Sequence, residues 1–146
     1  MEWIWIVDSV VLAIHEAQLA EHGGMVGIRD EGLLASALAR PRNVQEYGEA
    51  PDAAALAAAY AFGLSRNHPF LDGNKRTAFV VMELFLNLNG WNLTAEDADC
   101  ISTMEALASG KLAEKTFAGW LRDHLEKKAS EGFDLKSEIY NLRSEI

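Results

Sequence analysis

Between Asn74 and Asn89 the apolar residues Phe79, Val80, Val81, Met82, Leu84, Phe85, Leu86 and Leu88 cover nearly every face of a helix. A helix without a polar stripe has to be surrounded, either by lipid or by protein. The run from Ala78 to Leu88 falls well short of the roughly 20 residues a bilayer crossing needs, so it predicts a central helix buried in protein and ended by Gly90. A chain of 146 residues has material for about one such core. The remaining segments must therefore pack around residues 74–89.

Those segments read as helices too. Asp8 is a candidate N-cap for a helix over about 9–22, with Val11, Ile14, Ala17 and Gln18 at helical spacing and Gly23-Gly24 as its stop. Asp30 can cap a second helix through Leu33, Leu34, Ala37 and Leu38, which Pro41 is expected to end, leaving 42–50 as a loop. Pro51-Asp52 opens an alanine-rich helix through Tyr60 and Leu64, whose small side chains suit close packing. Thr94 can cap a helix through Ile101, Met104 and Leu107 closed by Gly110, and Thr116 another through Phe117, Trp120, Leu121 and Leu125. Strand signals are confined to the N-terminal Trp3-Ile4-Trp5-Ile6 and a possible short hairpin. The expected fold class is all-α, a helical bundle around one central buried helix. Its domain spans 1–128. A weak linker at 127–132 leads to an amphipathic tail over 129–146, in which Leu135, Ile139, Leu142 and Ile146 recur at helical spacing. That tail suits an extra helix on the domain, a partner-docking segment or an added extension.

Composition narrows the function. A net charge of −9 argues against direct nucleic-acid binding, which depends on neutralising many phosphates. A single nucleotide needs only local positive charge. The first 74 residues contain no lysine, and Arg66, Lys75 and Arg76 form the basic cluster in the middle of the chain. Cys100 is the sole cysteine, which excludes an internal disulfide and fits a reducing, cytoplasmic setting. The N-terminus lacks a basic start and a long apolar run, so neither a signal peptide nor membrane association is expected.

The chemistry concentrates in His68-Pro-Phe-Leu-Asp-Gly-Asn-Lys-Arg76, which joins the alanine-rich helix to the central one. Asn74, Lys75 and Arg76 fall on the first helical turn, where backbone N–H groups are unpaired and a partial positive charge favours an anion. Gly73 permits the turn to aim successive N–H groups at one anion. Arg76 offers a planar fork and Lys75 a mobile point charge for phosphate oxygens. Asp72 is a hard oxygen ligand suited to magnesium shared with phosphates. His68, four residues before it, can accept a proton from an incoming hydroxyl. Asn74 can cap the helix or reach a phosphate oxygen. Feature by feature these residues also serve an ordinary helix start; their density within nine residues is what favours a phosphate-holding catalytic loop.

This run resembles the core motif of the Fic/Doc (Fido) family, whose AMP-transferring branch reads His-Pro-Phe-x-(Asp/Glu)-Gly-Asn-Gly-Arg and whose death-on-curing branch puts lysine before the final arginine. Residues 68–76, followed by Thr77-Ala78, match it. Gly23-Gly24, the stretch from Gly27 to Pro41, and Arg66-Asn67 look like death-on-curing toxins as well, so the likeness covers roughly residues 1–125. The resemblance implies a helical fold, His68 as base, Asp72 on magnesium, Arg76 among the catalytic residues, and Gly73 to Arg76 on the phosphates of ATP, with Arg66 adding a phosphate contact. For the death-on-curing branch it implies phosphorylation of a threonine of elongation factor Tu, blocked translation, and an antitoxin that restrains the toxin. A glycine at position 75 would let a diphosphate lie against the backbone for AMP transfer; Lys75 fills that space and favours an inverted nucleotide presenting its γ-phosphate. Gly73 matches the AMP-transferring branch, so AMP transfer stays as the alternative, and a nucleotide-binding module without catalysis as a second. The self-inhibitory Ser/Thr-x-x-x-Glu pattern of many Fic enzymes is absent from the sequence.

His15, Glu16 and His22 invite a metal reading, but the two histidines are seven apart rather than four and read better as helix positions. Trp3, Trp5, Trp91 and Trp120 read as packing residues.

Overall fold

The computed structural model describes residues 2–129. Its elements are α1 (Asp8–His22), α2 (Glu31–Tyr47), α3 (Ala53–Asn67), α4 (Asn74–Leu88), β1 (Trp91–Leu93), α5 (Asp97–Ala108), α6 (Glu114–Asp123) and β2 (Leu125–Lys127). The all-α expectation holds, with one two-stranded ribbon added. The amphipathic tail expected over 129–146 lies outside the described residues from 130 onward. Among the described residues, no helix is long and apolar enough to cross a membrane.

Helix α4 is enclosed as its sequence requires: every residue from Thr77 to Asn87 is buried. It shares the centre with α3, which packs against α2, α4, α5 and α6. The alanines of α3 are what allow this. Ala57, Ala58, Ala59 and Ala61 are fully buried, and a Cβ added to Gly63 would lie only 3.1 Å from the Cα and carbonyl oxygen of Ala37 in α2. Asp52 starts α3 by accepting from the Ala55 N–H at 2.9 Å, and Arg122 of α6 grips both oxygens of the same carboxylate. That guanidinium holds the Asp52 carboxyl below its ordinary range.

Five local expectations need correction. Pro41 does not end α2; it lies inside the helix, which continues to Tyr47, so 42–47 is not loop. A proline inside a helix costs about 3 kcal/mol, and tertiary anchors on both sides offset it. Arg40 pairs with Glu114, the Arg42 guanidinium stacks on the Trp5 ring at 5.3 Å, and Val44 packs on the core. Thr94 does not cap α5; its hydroxyl and its N–H both donate to the His124 carbonyl, and α5 begins after Glu96. Thr116 lies inside α6, which starts after Ala113. Leu125 and Lys127 belong to a strand rather than to helix and linker: Trp91, Asn92 and Leu93 pair antiparallel with Lys127, Glu126 and Leu125. Asp8 is the first residue of α1, and Val7 takes the cap position.

The N-terminal Trp-Ile-Trp-Ile segment forms no strand. The Asn89 side chain pairs with both backbone groups of Ile4, Ile6 donates to the Tyr60 hydroxyl, and Trp3 and Trp5 lie against Phe85. This N-terminal segment thus closes the far end of α4 with side-chain partners where a sheet would use backbone.

Gly63→Ala tests the α2–α3 contact. Alanine gains up to about 1 kcal/mol of helix propensity over glycine, whereas overpacking costs about 1–3 kcal/mol. The atoms it meets are backbone atoms of a core helix, so the variant should unfold at lower urea concentration, by about 1 kcal/mol net; a raised midpoint would refute the tight packing.

Candidate active site

Helix α3 ends at His68, which adopts a left-handed conformation with φ 53° and ψ 53°. A non-glycine residue there costs roughly 1–2 kcal/mol, and the chain reverses in a single step toward α4. The reversal is held from several directions. Arg29 donates from Nε to the His68 carbonyl at 2.7 Å and from Nη2 to the Asn67 carbonyl at 2.9 Å, closing the C-terminus of α3. The Pro69 carbonyl accepts from the N–H groups of Arg29 and Asp30, and Leu71 donates to Gly27, so the 27–30 segment runs alongside as an isolated bridge, Ile28 to Phe70. Phe70 is fully buried.

Asn74 closes the turn on itself. Its Oδ1 accepts from the Phe70 N–H at 2.9 Å and its Nδ2 donates to the Phe70 carbonyl at 3.0 Å. The amide is therefore spent on the loop, and what Asn74 offers a ligand is its backbone N–H. Gly73, at φ 76°, occupies the cap position of α4. Among the described residues, the backbone N–H groups of Gly73, Asn74, Lys75 and Arg76 find no acceptor, the first helical bond at this end running from Thr77 to Gly73. Four donors at a helix start form a concave site for an anion.

These groups open on a cleft of 380 Å³ lined by His68, Asp72, Gly73, Asn74, Lys75 and Arg76, and by Ile101, Met104 and Glu105 from α5. A neighbouring cleft of 560 Å³ shares His68, Lys75 and Glu105 with it. The two meet along the Lys75–Glu105 ion pair, 3.5 Å apart and half exposed. Asp72 is exposed; one carboxylate oxygen accepts from the Met25 N–H at 2.9 Å, and the other receives no hydrogen bond from any described residue. A hard carboxylate oxygen left open beside unpaired N–H donors fits a magnesium ion shared with phosphates.

Six of the seven residues singled out in the sequence thus share one cleft. Arg66 is not among its lining: the guanidinium lies over the Phe62 ring at 5.3 Å and close to Gly110. The sequence reading missed Ile101, Met104 and Glu105. Their spacing puts them on one helical face, but only the packing of α5 shows that this face closes the cleft. His15, read from the sequence as a helix position, lies buried on α1 with its ring against Phe70.

The sequence model of the Fic/DOC family matches residues 5–86. The chain is 30% identical over 117 residues to the Protein kinase doc of Escherichia phage P1, covering 80% of this chain and 92% of that protein. It is 44% identical over 78 residues to the Toxin Doc of Mycolicibacterium smegmatis, covering 51% of this chain and 58% of that one.

Removing the Asn74 amide leaves the N–H and C=O of fully buried Phe70 without partners, each worth about 1–3 kcal/mol. Asn74→Ala should therefore lower unfolding stability by about 2–4 kcal/mol in a urea titration, an effect too large for a residue that served only to touch ligand.

Proposed function

The chain belongs to the Fic/DOC family, and from that premise we propose that it is the toxin of a toxin–antitoxin pair, a kinase that moves the γ-phosphate of ATP onto a serine or threonine hydroxyl of a target protein. The observation that carries the reading is the row of four unpaired N–H groups from Gly73 to Arg76, facing the same cleft as His68, Asp72, Lys75 and Arg76. The names of the two relatives, a protein kinase and a toxin, support it. Elongation factor Tu is the proposed target, an antitoxin the proposed partner and the cytoplasm the proposed setting, in line with the motif's resemblance to death-on-curing toxins.

The division of labour follows from position. The N–H row and the Arg76 guanidinium bind and orient the phosphates. Asp72 is the residue that would hold magnesium, which when bound neutralises phosphate charge. His68, held at the cleft by its left-handed backbone, takes the proton from the target hydroxyl. The hydroxyl oxygen then bonds to the γ-phosphorus, the bond from that phosphorus to the β–γ bridging oxygen breaks, and ADP leaves. Lys75 lines the cleft and pairs across it with Glu105, whereas a glycine there would leave room for a diphosphate. AMP transfer is the second reading, favoured by Gly73.

The test is incubation of the protein and magnesium with cell extract and ATP labelled at the α- or the γ-phosphate. Label should pass from γ alone; transfer from α would mean AMP transfer, and none from either a binding module without catalysis. His68→Ala should cut transfer by roughly 10²–10⁴-fold. Retained labelling in that variant would remove His68 from its role.

A further inference from the structure

His15 lies on α1, far in sequence from the motif, yet it touches the turn at two points. Its ring, 4% exposed, stacks on Phe70 with centroids 3.7 Å apart and planes 10° from parallel. Its Nε2 lies 2.8 Å from the Asp72 carbonyl oxygen. A carbonyl can only accept, so the proton of this bond sits on Nε2. Just beyond, a Cβ placed on Gly73 would come within 3.8 Å of the same imidazole and 3.3 Å of Leu19, so α1 forms a wall behind the turn.

The consequence follows from peptide geometry. The peptide between Asp72 and Gly73 is planar and trans, so its N–H points opposite to its C=O. With the carbonyl fixed on His15, the Gly73 N–H is turned away from α1, toward the cleft that Gly73 lines. Glycine at φ 76° rotates more freely than any other residue, and a flipped peptide would aim an oxygen lone pair at the phosphates. We propose that His15 is a positioning residue of the phosphate site: it holds the Asp72–Gly73 peptide in the one orientation that presents an N–H to a nucleotide phosphate. The Met25 N–H does the parallel service for the Asp72 carboxylate, so both halves of residue 72 are set from outside the motif. This inference rests on the phosphate-binding reading above.

His15→Phe keeps a ring against Phe70 and removes the donor; His15→Gln loses the ring and keeps an amide donor at similar reach. ATP binding is measured by calorimetry with and without magnesium, and the Gly73 amide is followed by NMR in the nucleotide-free protein. Losing one donor to a phosphate should weaken ATP binding by roughly 10–100-fold in His15→Phe, with the Gly73 resonance displaced and the thermal midpoint near that of the parent. His15→Gln should recover most of the affinity. Wild-type affinity in His15→Phe, or an equal loss in a folded His15→Gln, overturns the proposal. If the parent protein binds no ATP, the phosphate reading itself fails, and an unmoved Gly73 resonance in His15→Phe would then refute the positioning role separately. Should His15→Phe not fold, the imidazole nitrogen shifts of the parent decide, since a proton on Nδ1 and none on Nε2 contradicts the bond.

Discussion

The enclosure of α4 is the constraint on which the rest depends. A helix apolar on nearly every face cannot lie on a surface, so α1, α3, α5 and the ribbon's β1 strand all pack on it, and each contact removes a freedom of its axis. Once the axis is fixed, so is the place where its N-terminus emerges. A helix end is where backbone donors go unpaired. The core that stabilises the protein therefore also decides where an anion is received.

How the turn is fastened matters as much as where it lies. Around residues 72–76 the fastenings take carbonyls: Asp72 gives its oxygen to His15 and Gly73 gives its oxygen to Thr77. The donors are left over. A chain with a net charge of −9 can in this way offer a site of positive potential, because backbone dipoles and two adjacent cations act over a few ångströms while distant carboxylates are screened by solvent. Overall charge excludes a nucleic-acid coat without excluding one nucleotide.

The elements legible in the sequence were those with one-dimensional causes. The enclosed α4 declared itself by composition, α3 by alanine and Asp52, and the cleft residues by adjacency within the motif. What was not legible depends on partners distant in the chain. Pro41 looks like a terminator until Arg40 finds Glu114 and Arg42 finds Trp5. Thr94 and Thr116 look like caps because threonine is a good one, yet Thr94 is claimed by His124. The β1–β2 ribbon joins segments separated by two helices and leaves no turn signature. Arg66 sits next to the motif in sequence but α3 has carried its side chain to Phe62, while His15 and Glu105, remote in sequence, are delivered to the site by packing.

Lys75 ties these threads together. Its ion pair with Glu105 is half exposed on both sides, and such pairs contribute about 0–1 kcal/mol. Glu105 therefore holds the lysine too weakly to compete with a phosphate chain carrying several charges. The lysine's bulk is another matter, since its backbone belongs to the first turn of α4 and cannot withdraw. The ammonium at position 75 is thus exchangeable between partners, while the root of its stem stays in the first turn of α4. In the proposed reaction the volume limits how a nucleotide can lie along the turn, and the charge moves from Glu105 to whichever phosphate that placement brings near.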